Sequence, residues 1–152
     1  MKITIKNLST ILLVTTLFVS AISLSSCGAK KQSNQAILQQ LDGSWNAYKI
    51  KGEALSKEAQ HMFVTFNVLE AAVGGRGTCN SFGAPLRATE NKEMVVGNII
   101  STRMACSNQL DEYALFGVLN EASRFDIQNG KLFLYNKNSE EPIAEFVRAK
   151  DK

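Results

Sequence analysis

The segment Arg124–Tyr135, RFDIQNGKLFLY, admits few structures. Asn129-Gly130 at its centre suits a two-residue type I′ turn, which needs positive φ at both positions, and Phe125, Ile127, Leu132 and Leu134 alternate on either side. That is an antiparallel hairpin with one apolar face. The same grammar of short apolar runs broken by turn residues continues through the chain from Leu41. It predicts strands over Ser44–Ile50, Met62–Asn67, Glu70–Arg76, Ser81–Arg87, Glu93–Asn98, Arg124–Gln128, Lys131–Tyr135 and Ile143–Arg148, with a further turn at Glu90-Asn91-Lys92. One stretch departs from it. Ser107–Ala122 reads as a helix, capped by Ser107 or Asn108, with Asp111 and Glu112 placing negative charge where the helix dipole favours it. Two apolar stripes on that helix predict packing against the sheet, and Gly117 inside it predicts a close approach to a strand. About eight strands with one helix define a mainly β fold, a small antiparallel barrel-like sheet; an open α/β sheet would need helices between strands. Gly 10 and Pro 2 exclude a collagen-like or low-complexity chain, and 45% hydrophobic residues argue against wholesale disorder.

The N-terminus, MKITIKNLSTILLVTTLFVSAISLSSC, follows a different logic. Lys2 and Lys6 precede an apolar run from about Leu8 to Ile22, shorter than a membrane span and diluted by Thr15, Thr16 and Ser20. Leu24-Ser25-Ser26-Cys27 resembles the lipobox of bacterial lipoproteins, in which the Cys receives a diacylglycerol and becomes the first mature residue. The expected organisation is a signal peptide over residues 1–26, lipidated Cys27 with a flexible tether over 27–40, and one domain over 41–149. Acyl chains of the palmitate type on Cys27 anchor it to a membrane, each buried methylene contributing about 0.8 kcal/mol. Gly28, where an Asp would favour the inner membrane, points to the outer membrane with the domain in the periplasm. Lysines 2 and 6 leave with the signal, so 15 of the 17 basic residues face 14 acidic ones. Setting aside Lys30, Lys31, Lys150, Lys152 and Asp151 leaves about eleven basic against thirteen acidic residues in the folded body. The balance gives no reason to expect nucleic acid as a partner.

Three cysteines, with Cys27 lipidated, leave Cys79 and Cys106. Two readings stand: a disulfide, which across a loop of roughly 28 residues stabilises by about 3.5 kcal/mol, or two thiols in the core. His61 is the single histidine and reads as a surface residue. Two cysteines and one distant histidine do not make a metal site, which usually takes four ligands, and no cofactor motif is present. Val73–Thr78 resembles a phosphate-binding loop only in its glycines and reads better as a tight turn or bulge. Asp111 and Glu112 diverge on a helix and read as dipole partners rather than an acid pair. Trp45 reads as a core plug, with ligand stacking as the other reading. Arg103, in the apolar setting of Ile99–Cys106, either pairs with a carboxylate such as Glu112 or serves as an anion-binding group; Arg76 is the other arginine singled out.

Three ordered motifs carry a family resemblance. Leu41-Asp42-Gly43-Ser44-Trp45, Gly77-Thr78-Cys79-Asn80-Ser81-Phe82 and Ser101-Thr102-Arg103-Met104-Ala105-Cys106, with Glu112 following in the helix, resemble the META domain family, the HslJ-like heat-shock lipoproteins of bacteria. Ala84 departs from the glycine many members carry there, a change expected to alter a local turn and not the family resemblance. The resemblance spans about Leu41 to Arg148. It implies a barrel-like β fold with one helix, proximity of Cys79 and Cys106, links to envelope stress and drug tolerance, and no defining enzymatic activity or cofactor. Trp45, Gly77, Asn80, Phe82, Thr102, Arg103, Met104 and Glu112 are the motif residues it singles out. On the residues themselves, Asn80 suits a turn whose side chain ties down backbone, and Met104 and Phe82 read as core. The expected function is a non-catalytic envelope lipoprotein, a stress-response or protein-interaction module with an envelope protein as partner. The alternative is a small-molecule binder using the barrel interior, lined by Trp45, Phe82, Tyr113 and Phe116. A thiol enzyme built on Cys79 or Cys106 is the least supported reading.

Overall fold

The computed structural model describes residues 36–105 and 109–150. The signal-like segment, Cys27 and the tether to residue 35 lie outside them, as do Cys106 and the two proposed capping residues, Ser107 and Asn108. Residues 36–41 are helical and lead into strand β1 (Gly43–Ile50). There follow β2 (Glu53–Ala54), a 3-10 turn (Lys57–Ala59), β3 (Phe63–Asn67), β4 (Ala72–Arg76), β5 (Ser81–Ala88), β6 (Met94–Val96) and β7 (Ile100–Ser101). Helix α1 (Leu110–Glu121) then precedes β8 (Arg124–Gln128), β9 (Lys131–Tyr135) and β10 (Ala144–Arg148). No described helix is long and apolar enough to cross a membrane.

Eight strands run antiparallel in the order β6-β5-β4-β3-β1-β10-β9-β8, with β2 added to β1 and β7 to β5. The two ends of that path meet. Glu93 bridges Arg124, Phe125 N–H donates to Lys92 O at 2.8 Å, and Met94 N–H donates to Ser123 O at 2.9 Å. The sheet is thus a nearly closed barrel. The β8–β9 hairpin has the bounds and turn its sequence predicts, with φ of 51° at Asn129 and 74° at Gly130. Its apolar face points inward, burying Phe125, Leu132 and Leu134. In β1 the inward positions run Trp45, Ala47 and then Ile50. A register shift between Ala47 and Lys49 moves the alternation by one residue, the signature of a bulge.

The barrel interior is filled by side chains. Trp45, Phe66, Phe125 and Phe146 are fully buried together with Val64, Leu132 and Leu134. Helix α1 lies against both β1 and β6, four places apart in the eight-strand order, so it stretches across the barrel and buries Leu115, Val118 and Leu119. Its ends are tied to the chain after β1: Ser56 Oγ donates to Asp111 Oδ2 at 2.6 Å, and Lys51 Nζ lies 3.4 Å from Glu121 Oε1.

Three local expectations need correction. A Cβ on Gly117 would meet nothing within 4 Å, so this glycine admits no close strand. The glycines of Val73–Thr78 sit mainly in β4, not in a turn. Gly75 has φ of 155°, and a Cβ there would lie 2.1 Å from Phe63 O, so the neighbouring strand runs where a side chain would be. Ala84 pairs with Val73 inside the sheet, so no turn exists there for it to distort.

Two polar devices finish the barrel. Trp45 donates its indole N–H to Leu41 O at 2.8 Å. Arg148, its cross-strand partner, stacks its guanidinium 4.0 Å above the indole ring and donates to the carbonyls of Gln40 and Asp42. Across the closing seam, Lys92 pairs with Asp126.

Candidate functional site

The second and third motifs converge at one place, through Asn80. The loop from Gly77 to Asn80 joins β4 to β5 and is closed by Gly77 N–H donating to Asn80 O at 2.8 Å. The Asn80 side chain is 3% exposed and has one possible orientation. Its Nδ2 donates to Glu112 Oε1 at 2.8 Å, and its Oδ1 accepts from the Met104 N–H at 2.7 Å and the Thr102 hydroxyl at 2.9 Å. A carboxylate can only accept and a backbone N–H can only donate, so the amide cannot be reversed. Thr102 Oγ1 in turn accepts the Ser81 N–H at 3.2 Å.

Glu112 is 2% exposed. Besides the Asn80 amide, its Oε2 accepts the backbone N–H groups of Asn80 at 3.0 Å and Cys79 at 3.4 Å. It stands in the first turn of α1, where the helix dipole also favours negative charge. Gly77 makes room for it: a Cβ at that position would lie 2.3 Å from Glu112 Oε2. The motif Gly, Asn, Thr and Glu are therefore one fastening, buried at Gly77, Asn80 and Glu112, that joins the β4–β5 loop, the chain just after β7 and α1. Cys79 beside it is disulfide-bonded; Cys106, the expected partner, lies outside the described residues.

Several site expectations change. Glu112 is not merely a dipole partner, because its carboxylate turns inward to Asn80, while Asp111 takes the Ser56 hydroxyl. It does not pair with Arg103, which is exposed and takes part in none of the ion pairs among the described residues. Met104 is 58% exposed, not core, since its N–H is held by Asn80 while its side chain lies at the rim of a cleft. Phe82 is core and meets Phe116 edge-on at a centroid distance of 5.1 Å. Trp45 is a core plug. His61 is on the surface, with Nε2 2.6 Å from Thr78 O; a carbonyl only accepts, so that nitrogen carries the proton. Arg76 is exposed at the end of β4.

A cleft of about 440 Å³ opens over the fastening. One wall is the strand and loop Ser101–Ala105, the other is the face of α1 with Tyr113 and Phe116, and Asn80 and Glu112 form the floor. Gln109 spans the two walls: it accepts from Tyr113 Oη at 2.7 Å and donates to Met104 O at 3.4 Å. The proposed ligand-lining residues thus divide, with Trp45 and Phe82 in the packed core and Tyr113 and Phe116 on this outer cleft. Sequence reasoning missed Gln109 as a member of the site, and its short polar setting carries no signal of it. Among the described residues, no group of three His, Cys, Asp or Glu side chains is placed to hold a metal ion.

Fold and site define a small, nearly closed antiparallel barrel, spanned by one helix and fastened by a buried Asn–Glu pair. The family model for the META domain matches residues 36–150, most of the 152 residues, and the chain belongs to the META domain family. Solved structures agree on the fold. An NMR structure of a protein from Burkholderia xenovorans is 23% identical, with a TM-score of 0.59 over 76% of this chain and 88% of that one. The crystal structure of a DUF4847 family protein from Bacteroides vulgatus is 13% identical, with a TM-score of 0.51 over 74% of this chain and 96% of that one. No curated protein gives a significant match.

Proposed function

We propose that this META domain protein is a non-catalytic lipoprotein of the bacterial outer membrane, anchored through Cys27, whose domain serves as a stress-response and protein-interaction module in the periplasm. The observation that carries the non-catalytic reading is the engagement of the motif's polar side chains with one another. Asn80, Thr102 and Glu112 hold two strands and a helix together, and Glu112 accepts from three N–H groups. A general base would need reach to a substrate proton, and this carboxylate is 2% exposed and already holds three N–H donors. The motif consequently shapes a surface. Pairing of the disulfide-bonded Cys79 with Cys106 is part of the same proposal, since oxidising compartments let such bonds persist.

The test begins with the anchor. Cells fed radiolabelled palmitate should label the wild-type chain and not Cys27→Ala, and the variant should leave the membrane fraction. Equal membrane association of both would overturn the lipoprotein reading. A deletion strain should then lose tolerance to heat or antibiotic challenge, and crosslinking in the envelope should capture a partner. A strain indistinguishable from its parent, with nothing crosslinked, would remove the module.

The barrel interior gives no support to small-molecule binding, because aromatic and aliphatic side chains occupy it.

A further inference from the structure

The pairing of β7 leaves part of its backbone facing the cleft. Thr102 N–H donates to Ser81 O at 3.0 Å, and Gly83 lies opposite Ile100. In an antiparallel ladder this register turns the N–H and C=O of Ile100 and Thr102 toward β5, and those of Ser101 and Arg103 away from it. Strand β7 pairs with β5 alone. No described residue bonds the outward groups of Ser101 and Arg103. The outward N–H and C=O of Ser101 at the end of β7, followed by those of Arg103 just past it, therefore stand next to a helix, with the 440 Å³ cleft between them.

The side chains around that edge point to its occupant. Met104 is 58% exposed and Tyr113 60%, on the two facing walls of the cleft; large apolar side chains left exposed around one cleft mark an interaction surface. Arg103 adds a guanidinium that no described carboxylate neutralises. We propose that an extended peptide segment of a partner protein pairs with the Ser101–Arg103 edge, laying an apolar side chain between Met104 and Tyr113 and setting a carboxylate against Arg103. Main-chain hydrogen bonds supply the affinity in this mode, and pockets for alternate side chains supply the selection. The free edge calls for an extended backbone, and the exposed Arg103 guanidinium calls for an acidic residue. A rigid apolar small molecule would use neither. This proposal deepens the interaction-module reading and rests on it for the existence of a partner. The two fail separately, because a phenotype-free deletion removes the module while a failed titration removes only the groove.

The experiment uses the full chain in detergent and a fluorescein-labelled octapeptide of alternating Val and Thr with one central Glu. Fluorescence anisotropy should report saturable binding, and hydrogen-exchange mass spectrometry should show slowed exchange confined to the peptide fragment containing Ser101 and Arg103. N-methylation of alternate peptide amides should abolish binding, because it removes the rungs. Replacing the peptide Glu by Lys, or Arg103→Gln in the protein, should weaken it about threefold, the scale of a surface charge pair. Ser101→Pro removes an outward N–H that no strand uses, which edge strands tolerate, and should abolish binding with the thermal midpoint kept. Arg103→Gln serves as the second variant should Ser101→Pro fail to fold. Absence of binding, or binding that survives N-methylation, overturns the proposal. So does exchange protection of Ser101 and Arg103 that rises with protein concentration alone, which would assign the edge to a second copy of this chain.

Discussion

The domain is fastened in two places by opposite means. At Trp45 the element held is apolar and the holder is exposed: the indole is buried, and Arg148 covers it from solvent while gripping the carbonyls of Gln40 and Asp42. At Glu112 the device is polar and its centre is inside, with a buried carboxylate and amide bonded to a hydroxyl at the surface and to three backbone N–H groups. The difference lies in what each can tolerate. An apolar plug contributes in proportion to area and packing and survives small changes of shape. A buried polar network depends on every member, because loss of one leaves the others desolvated without partners. The first device secures stability where the chain enters the barrel. The second secures geometry, and the cleft with its open strand edge stands directly on it.

Breaking the apolar fastening should have the largest effect. Trp45→Ala removes a fully buried aromatic side chain, the covering surface for Arg148 and a hydrogen bond to Leu41, and is expected to lower the unfolding free energy by about 3–5 kcal/mol in urea titration. Gly77→Ala attacks the polar one. The new methyl group would stand 2.3 Å from Glu112 Oε2, so the carboxylate must leave Asn80, and a loss of about 1–3 kcal/mol is expected. The same titration checks it, and the peptide affinity of the groove should fall with it, which Trp45→Ala should not cause while the protein is folded.

The smallest effect belongs to the seam, outside both fastenings. Burial of Asp126 raises its pKa, but the Lys92 ammonium, the Gln128 amide and the Ile127 N–H outweigh burial and hold it below the usual carboxylate value. A carboxylate depressed in the folded state stabilises above its unfolded pKa, and that contribution disappears as pH falls through the folded value. Asp126→Asn should therefore cost about 0.5 kcal/mol at pH 7 and progressively less below about pH 4. Thermal midpoints of the two proteins, measured across pH 2–7, should converge at the acid end.

The strands that were legible in the sequence are those whose register is fixed locally. The Asn129-Gly130 turn determines which residues of β8 and β9 face each other, and the apolar alternation then decides the buried face. Strands β2 and β7, two residues each, leave no periodicity to read. The bulge in β1 is equally silent, because only the partner strand reveals the extra residue. The motif residues were visible as a pattern, but their roles were not. Asp111 and Glu112 look alike in sequence, and what separates them is a loop more than 30 residues earlier, where Gly77 leaves space and Asn80 supplies donors. Arg103 and Met104 sit in an apolar run that suggests burial. Their exposure follows from pairing of β7 with β5, a long-range contact that no local pattern encodes.

Whether Asn80 and Glu112 act as one fastening is decided by a double-mutant cycle. Unfolding free energies of the wild type, Asn80→Ala, Glu112→Ala and the double variant should show a coupling of about 1–3 kcal/mol, since the second substitution removes partners already orphaned by the first. Losses that add to within about 0.5 kcal/mol would mean that the two residues act independently, and the account of the motif as a single device would be wrong.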